Sequence, residues 1–263
     1  DSEDEDELCI GCAGGLDAVA DFKYRSYKTP GGYLGYKIDI KGLSGGHSGM
    51  DISLYRANAN KIMVRALIEL IEKYGVKVAD FTGGSLRNAI PFEAESVIAV
   101  PPGMEGKVSK VCDKLFKNAM SKFKESDPNM CIKLVKLDKA PVKYIEEGVM
   151  LNACKAIAIC PSNVIRMSQT MPGLTETSIN LAVVRCKNGH LTVASLMRSA
   201  IDEAKEDLAN RIKYIFEFAG AEIKFSGGYS GWVPKPDTPM IKVLNDTHTK
   251  VFGKPMKILA THG

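Results

Sequence analysis

The string Ser44-Gly45-Gly46-His47-Ser48-Gly49 sets a histidine among small residues. Histidine is the side chain most readily tuned to exchange or donate a proton near neutral pH. With glycines on both sides, nothing in the adjacent chain buries the His47 imidazole. It reads as presented outward, to a substrate or ligand. A tight strand-to-helix connection carrying an incidental histidine is the plainer alternative. A phosphate-cradling loop fits poorly, because no lysine follows the glycines.

Three further signals have chemistry in them. Asn88, in Gly83-Gly84-Ser85-Leu86-Arg87-Asn88-Ala89-Ile90-Pro91, has an amide that could grip a carboxylate or carbonyl. Asparagine more often satisfies its own turn, and taken alone that reading wins. Arg198 emerges from the apolar strand pattern around Leu196-Met197. It could clamp a carboxylate through two parallel hydrogen bonds, and it reads equally well as a surface arginine at a helix start. The acidic burst from Asp1 to Glu7 has the composition of a solvated tail, yet it precedes a compact apolar stretch where a hard metal could find oxygen ligands. His190 and His248 read as exposed and structural, and nothing in the sequence defines the surroundings of His262. Cys9 and Cys12 have C-x-x-C spacing without a second pair at a zinc-site distance, so a strand and turn is the favoured reading.

The elements that must position these groups follow from periodicity. Leu34, Tyr36, Ile38 and Ile40 alternate as in a strand. After the glycine loop, Ala59, Ile62, Met63, Ala66, Leu67, Leu70, Ile71 and Tyr74 form one apolar stripe, predicting a helix over about 54–74. Strands near 76–81 and 95–100, a helix over 105–124 and a strand over 131–137 complete a β-α-β-β-α-β order, the ferredoxin-like plait. The order then restarts: a helix at 144–159, a strand near 164–169, a hairpin over 177–197 turning at Asn188-Gly189, a helix at 200–219 and a strand at 222–226. The expectation is an α+β fold: two tandem ferredoxin-like plaits, about eight antiparallel strands with four helices on one face. Gly227–Pro239 reads as a hinge-like linker. The division is then 1–33 and 229–263 as parts of a separate α/β domain, with 34–228 inserted between them. Both ends look cut.

Composition narrows the partners. The net charge of +4 is mild, and the lysines are scattered at solvent-face spacing. Basic and aromatic residues are not interleaved, which argues against nucleic acid. No apolar run reaches membrane-spanning length. Seven cysteines, an odd number mostly inside apolar patterns, fit reduced thiols and a cytoplasmic location.

Taken together, several strings resemble the cytosolic aminoacyl-histidine dipeptidases, the carnosinase-like branch of the di-zinc metallopeptidase family that also includes acetylornithine deacetylase. They are D-S-E-D at 1–4, I-G-C-A-G-G at 10–15, G-L-S-G-G-H-S-G at 42–49, R-A-N-A-N-K at 56–61, G-G-S-L-R-N-A-I-P at 83–91 and P-G-L-T-E-T-S-I-N-L at 172–181. A further S-G-W-x-P-x-P-D type string lies at 230–239. The resemblance implies a catalytic domain with two zinc ions and an inserted lid matching 34–228. It implies that Asp1 binds one zinc and that His47 reaches from the lid to the scissile carbonyl. Asn88 and Arg198 would hold the carboxylate of a dipeptide substrate, and Gly263 would line its pocket. A homodimer through the lid is also implied as possible. The family's His-x-Asp string, the Glu-Glu pair that holds its general base and its last histidine ligand find no counterpart among the matching strings. The expectation is therefore that these 263 residues alone are inactive and bind zinc weakly at most. The rival readings are a non-enzymatic ferredoxin-like module for binding or dimerisation, and an RNA-binding plait, which lacks the aromatic and basic sheet face it needs.

Overall fold

The computed structural model describes residues 4–263, so the expected metal ligand Asp1 lies outside the described residues. Thirteen strands and five α-helices occur among them. In chain order the first part runs β1 Glu7–Cys12, β2 Gly14–Lys23, β3 Ser26–Lys28, β4 Leu34–Lys41, α1 Ala59–Tyr74, β5 Lys77–Gly83, β6 Ala94–Val100, α2 Glu105–Phe123, β7 Cys131–Lys136 and β8 Lys143–Ile145. The second part runs α3 Glu147–Ile159, β9 Asn163–Met167, β10 Thr175–Lys187, β11 His190–Ser199, α4 Asp202–Phe218, β12 Glu222–Tyr229, α5 Pro239–Phe252 and β13 Lys257–Thr261.

One nine-stranded antiparallel sheet carries the fold, in the order β12-β2-β11-β10-β5-β6-β4-β7, with β9 pairing only to β10. Helices α2, α1, α3 and α4 lie side by side over one face. Ile38, Ile40, Phe22, Ile179 and Met197 from the strands meet Leu67, Leu70, Ile157 and Ile212 from the helices in a continuous core. The α+β expectation of two plaits sharing one sheet holds.

The order of strands differs from the expectation in an informative way. The first plait is β4-α1-β5-β6-α2-β7. The second takes its opening strand from β2, which pairs along its length with β11 and β12, and not from the 164–169 region. That region is β9, a short strand on the rim of β10. The plaits are therefore nested: the chain lays down β2, builds the whole first plait, and returns at α3 to finish the second. Strands β3 and β8 pair where the chain enters and leaves the inner plait, closing its neck. The sheet consequently begins at Gly14, some twenty positions before the sequence boundary at 34.

Local corrections have local causes. Helix α1 starts at Ala59 rather than near 54, because the Asn58 side chain accepts the Lys61 amide and caps it, while Ile52–Leu54 form a separate single turn. The expected linker is partly ordered. Gly227–Tyr229 belong to β12, and Trp232 exchanges two backbone hydrogen bonds with Cys12 (3.0 and 2.8 Å). The hairpin turn is as expected, with Asn188 and Gly189 both at positive φ (52° and 83°). Beyond Trp232, α5 and the parallel pair β1–β13 form a small unit with much apolar surface uncovered, including Met240, Val243 and Phe252.

Strands β5 and β10 share only two residue pairs, Val184 with Gly83 and Arg185 with Thr82. The bulge at Ala182 leaves carbonyls of β10 without strand partners. Asn58 Nδ2 donates to Leu181 O at 2.8 Å, and Asn60 Nδ2 to Ala182 O at 3.2 Å. Replacing Asn58 with Ala removes both a helix cap and the partner of a buried carbonyl. The expected outcome is a loss of about 2–3 kcal/mol of unfolding free energy in urea titration. A change below about 0.5 kcal/mol would show that the seam does not depend on this residue.

Candidate functional site

The glycine loop is pinned rather than flexible. The buried Asp127 carboxylate accepts the Ser44 and Ala57 amides, both at 2.8 Å, and so ties the two ends of the loop together. Inside the loop Asp51 Oδ2 accepts the His47 amide at 2.7 Å, and Arg56 Nη1 donates to Gly45 O at 2.7 Å. Gly46 sits at φ +127°, and a Cβ there would stand 2.6 Å from Asp51 Oδ2. The loop runs antiparallel to the segment carrying Asn88: His47 bridges Ala89, Ser48 N donates to Asn88 O, and Ile90 N donates to Gly46 O. From the second plait, Asn180 Nδ2 donates to Arg87 O and Ala89 O, and Asp17 pairs with Arg87. Asn88 is thus held beside the histidine loop with its own side chain exposed.

His47 is partly buried, not bare. Its Nδ1 accepts the amides of Gly49 and Met50, both at 3.2 Å. A ring nitrogen that accepts two N–H groups carries no proton, so the neutral imidazole holds its proton on Nε2. Burial first, and then the Arg198 guanidinium, hold the imidazole below the usual histidine range, against the opposing Asp51 carboxylate. His47 is accordingly a neutral donor through Nε2–H.

Arg198 lies on β11, 7 % exposed, on the sheet face away from the helices. Its Nε is buried without a partner, and Nη1 reaches only the Tyr229 hydroxyl at 3.4 Å. Among the described residues no carboxylate pairs with it. Gly263 lies against it: a Cβ at Gly263 would stand 2.8 Å from Nη1. Gly49 packs backbone to backbone on the same tail, where a Cβ would meet His262 O at 2.8 Å. The fold therefore gathers His47, Arg198 and Gly263, with Asn88 on the neighbouring segment.

His262 joins this cluster, and the sequence reading had no signal for it. The residue is buried, with Nε2 2.7 Å from Ser178 Oγ on β10. Burial, with the Arg198 charge second, pushes its pKa down to about 4. The other two histidines lie apart: His190 pairs with Asp21, and His248 is largely covered rather than exposed, its Nδ1 2.8 Å from Lys254 O. All seven cysteines are free thiols, and burial pushes Cys112 up to about 11 and Cys160 up to about 12. Among the described residues no group of three His, Cys, Asp or Glu side chains is placed to hold a metal ion. No described helix is long and apolar enough to cross a membrane.

Known proteins are similar to this chain in sequence and fold. Residues 32–127 match the M20 peptidase dimerisation domain. The whole chain is 33 % identical to the cytosol non-specific dipeptidase of Escherichia coli (strain K12), covering 54 % of that protein. Its structure matches that of aminoacylhistidine dipeptidase from Vibrio alginolyticus with a TM-score of 0.95, at 32 % identity, over all of this chain and 54 % of that one. The chain thus spans about half the length of the relatives it matches.

The buried His262 makes stability depend on pH. An unfolded histidine takes up a proton near pH 6.5, whereas the folded one resists until about pH 4. Between those values the unfolded state binds more protons, so stability falls as pH falls from 6.5 towards 4. The histidine's share of that loss is about 3 kcal/mol. In His262→Gln the urea-derived stability should decline less steeply over this window than in the parent. Parallel curves would contradict the assignment.

Proposed function

We propose that this chain is the lid-bearing part of a metallo-dipeptidase: residues 32–127 match a peptidase dimerisation domain, and the whole chain is similar to aminoacylhistidine dipeptidase and to cytosol non-specific dipeptidase. The reaction is hydrolysis of short peptides of the Xaa-His, carnosine-like kind. The division follows the strand order: a lid from about residue 14 to 229, with 1–12 and 230–263 belonging to the catalytic body. The uncovered apolar side of α5 supports this, since such a surface needs more protein to cover it. A cytoplasmic, homodimeric protein assembled through the lid completes the reading.

The observation that carries it is Arg198. Its buried guanidinium has no counter-charge among the described residues, which is costly, and the cost is relieved when an anion binds. A dipeptide's terminal carboxylate fits the planar fork of its donors. Asn88 contributes its amide to the same end of the substrate, and Gly263 leaves room for the backbone. This demand for a carboxylate close to the scissile bond restricts the enzyme to dipeptides. His47 offers Nε2–H to the oxygen of the scissile carbonyl. A fixed neutral donor of this kind strengthens its hydrogen bond as that oxygen becomes negative, which lowers the barrier.

Two zinc ions, implied by the resemblance, would supply an activated water and a polarised carbonyl. The described residues do not form a site for them. Their ligands, Asp1 among them, would come from outside the described residues, and the roles above do not pass through the metal.

In the complete protein that contains this chain, His47→Ala should lower kcat by about 100- to 1000-fold while leaving secondary structure and metal content intact. Turnover measured on alanyl-histidine, beside circular dichroism and metal analysis, tests this. An unchanged kcat would reduce His47 to a loop residue. The 263-residue chain alone is expected to show no turnover.

A further inference from the structure

One row of residues crosses four strands at Arg198. The registers set Ser178 on β10 opposite Arg198 on β11, Arg198 opposite Gly15 on β2, and Gly15 opposite Tyr229 on β12. Residues in such a row share one face of the sheet, about 5 Å from strand to strand. Tyr229 therefore stands two strands from Arg198, and the position between them is a glycine. A Cβ at Gly15 would lie 2.6 Å from Tyr229 Cε1 and 2.9 Å from its hydroxyl oxygen. The phenol ring occupies the space that any other residue's side chain would take, and its oxygen comes to 3.4 Å from Arg198 Nη1.

The row depends on a bulge. Between Ser226 opposite Asp17 and Tyr229 opposite Gly15, β12 advances three residues while β2 advances two. Gly227, at φ +61°, takes the left-handed conformation the extra residue requires. Without it Tyr229 would fall opposite Gly14 and face the helices, because a one-residue slip exchanges the two faces. The backbone is then fixed from the helix side: the buried Lys205 ammonium donates to Tyr229 O at 2.5 Å and to Asp202 at 2.7 Å. The backbone is held while the ring stays half exposed and open to a ligand.

We propose that Tyr229 is a ligand-binding residue, whose hydroxyl donates to the same carboxylate that Arg198 takes. Its oxygen accepts from Nη1, so the phenolic proton is free to point at an anion seated on the guanidinium. Arg198 would then be flanked by Tyr229 on one side and by the Ser178–His262 pair on the other. This inference rests on the carboxylate reading above and adds a residue to it.

The test compares alanyl-histidine with alanyl-histidinamide, which lacks the carboxylate, in the complete protein. Tyr229→Phe keeps the ring on Gly15 and removes only the hydroxyl, so the fold is retained; thermal unfolding checks this. The acid-to-amide ratio of kcat/KM should fall about tenfold, carried by KM, as for one lost hydrogen bond to a charged group. Arg198→Met is measured in parallel. If Arg198→Met lowers the ratio and Tyr229→Phe does not, the tyrosine assignment is wrong and the carboxylate reading stands. If neither variant changes the ratio, the carboxylate reading fails and the tyrosine assignment falls with it.

Discussion

The site depends on the seam between β5 and β10. His47 and Asn88 belong to the inner plait, while Arg198, Ser178 and Tyr229 belong to the outer one. Only two residue pairs join the strands across that line. Asparagine amides do the rest: Asn58 and Asn60 reach from α1 to carbonyls that the β10 bulge leaves open, and Asn180 reaches from β10 to the loop carrying Asn88. Buried carbonyls must be satisfied, so these amides are a requirement of the geometry rather than an addition to it. Gly83 and Gly84 allow the close approach, with Asn60 and Ala182 lying where their side chains would stand.

A single buried charge organises the electrostatics on the outer side of this seam. Arg198 is buried with no ionic partner among the described residues, and its field disfavours protonation of both nearby histidines. His47 is thereby a neutral donor whose proton is placed by two backbone amides, and His262 a neutral partner for Ser178. A carboxylate paired with Arg198 would make both imidazoles easier to charge. No carboxylate among the described residues pairs with that charge.

Much of the fold was legible because it depends on local periodicity. The stripe from Ala59 to Tyr74 and the Asn188-Gly189 turn appear in the structure as the sequence implies. The opening strand of the outer plait was not legible. Gly14–Lys23 has few large apolar residues, since alanines line its inner face at Ala18 and Ala20. Its partners β11 and β12 lie more than 160 residues away, and nothing local records that pairing. The R-A-N-A-N-K string was visible as a resemblance only; its meaning, two amides for two distant carbonyls, is a property of the seam.

What the sequence determined by itself was the set of candidate residues and the two plaits: a histidine among glycines, an arginine at a strand end and alternating helix and strand patterns. These are short-range facts, set by backbone sterics and by the side-chain periods of 3.6 and 2. The tertiary structure decided which groups meet. It nested one plait inside the other and brought Gly263 and His262 back against a loop more than 200 residues earlier. It also turned Tyr229 onto the face of Arg198 through one extra residue in β12. Register and burial are set by contacts between distant segments, so the tautomer of His47, the neutrality of His262 and the burial of Arg198 exist only in the folded chain.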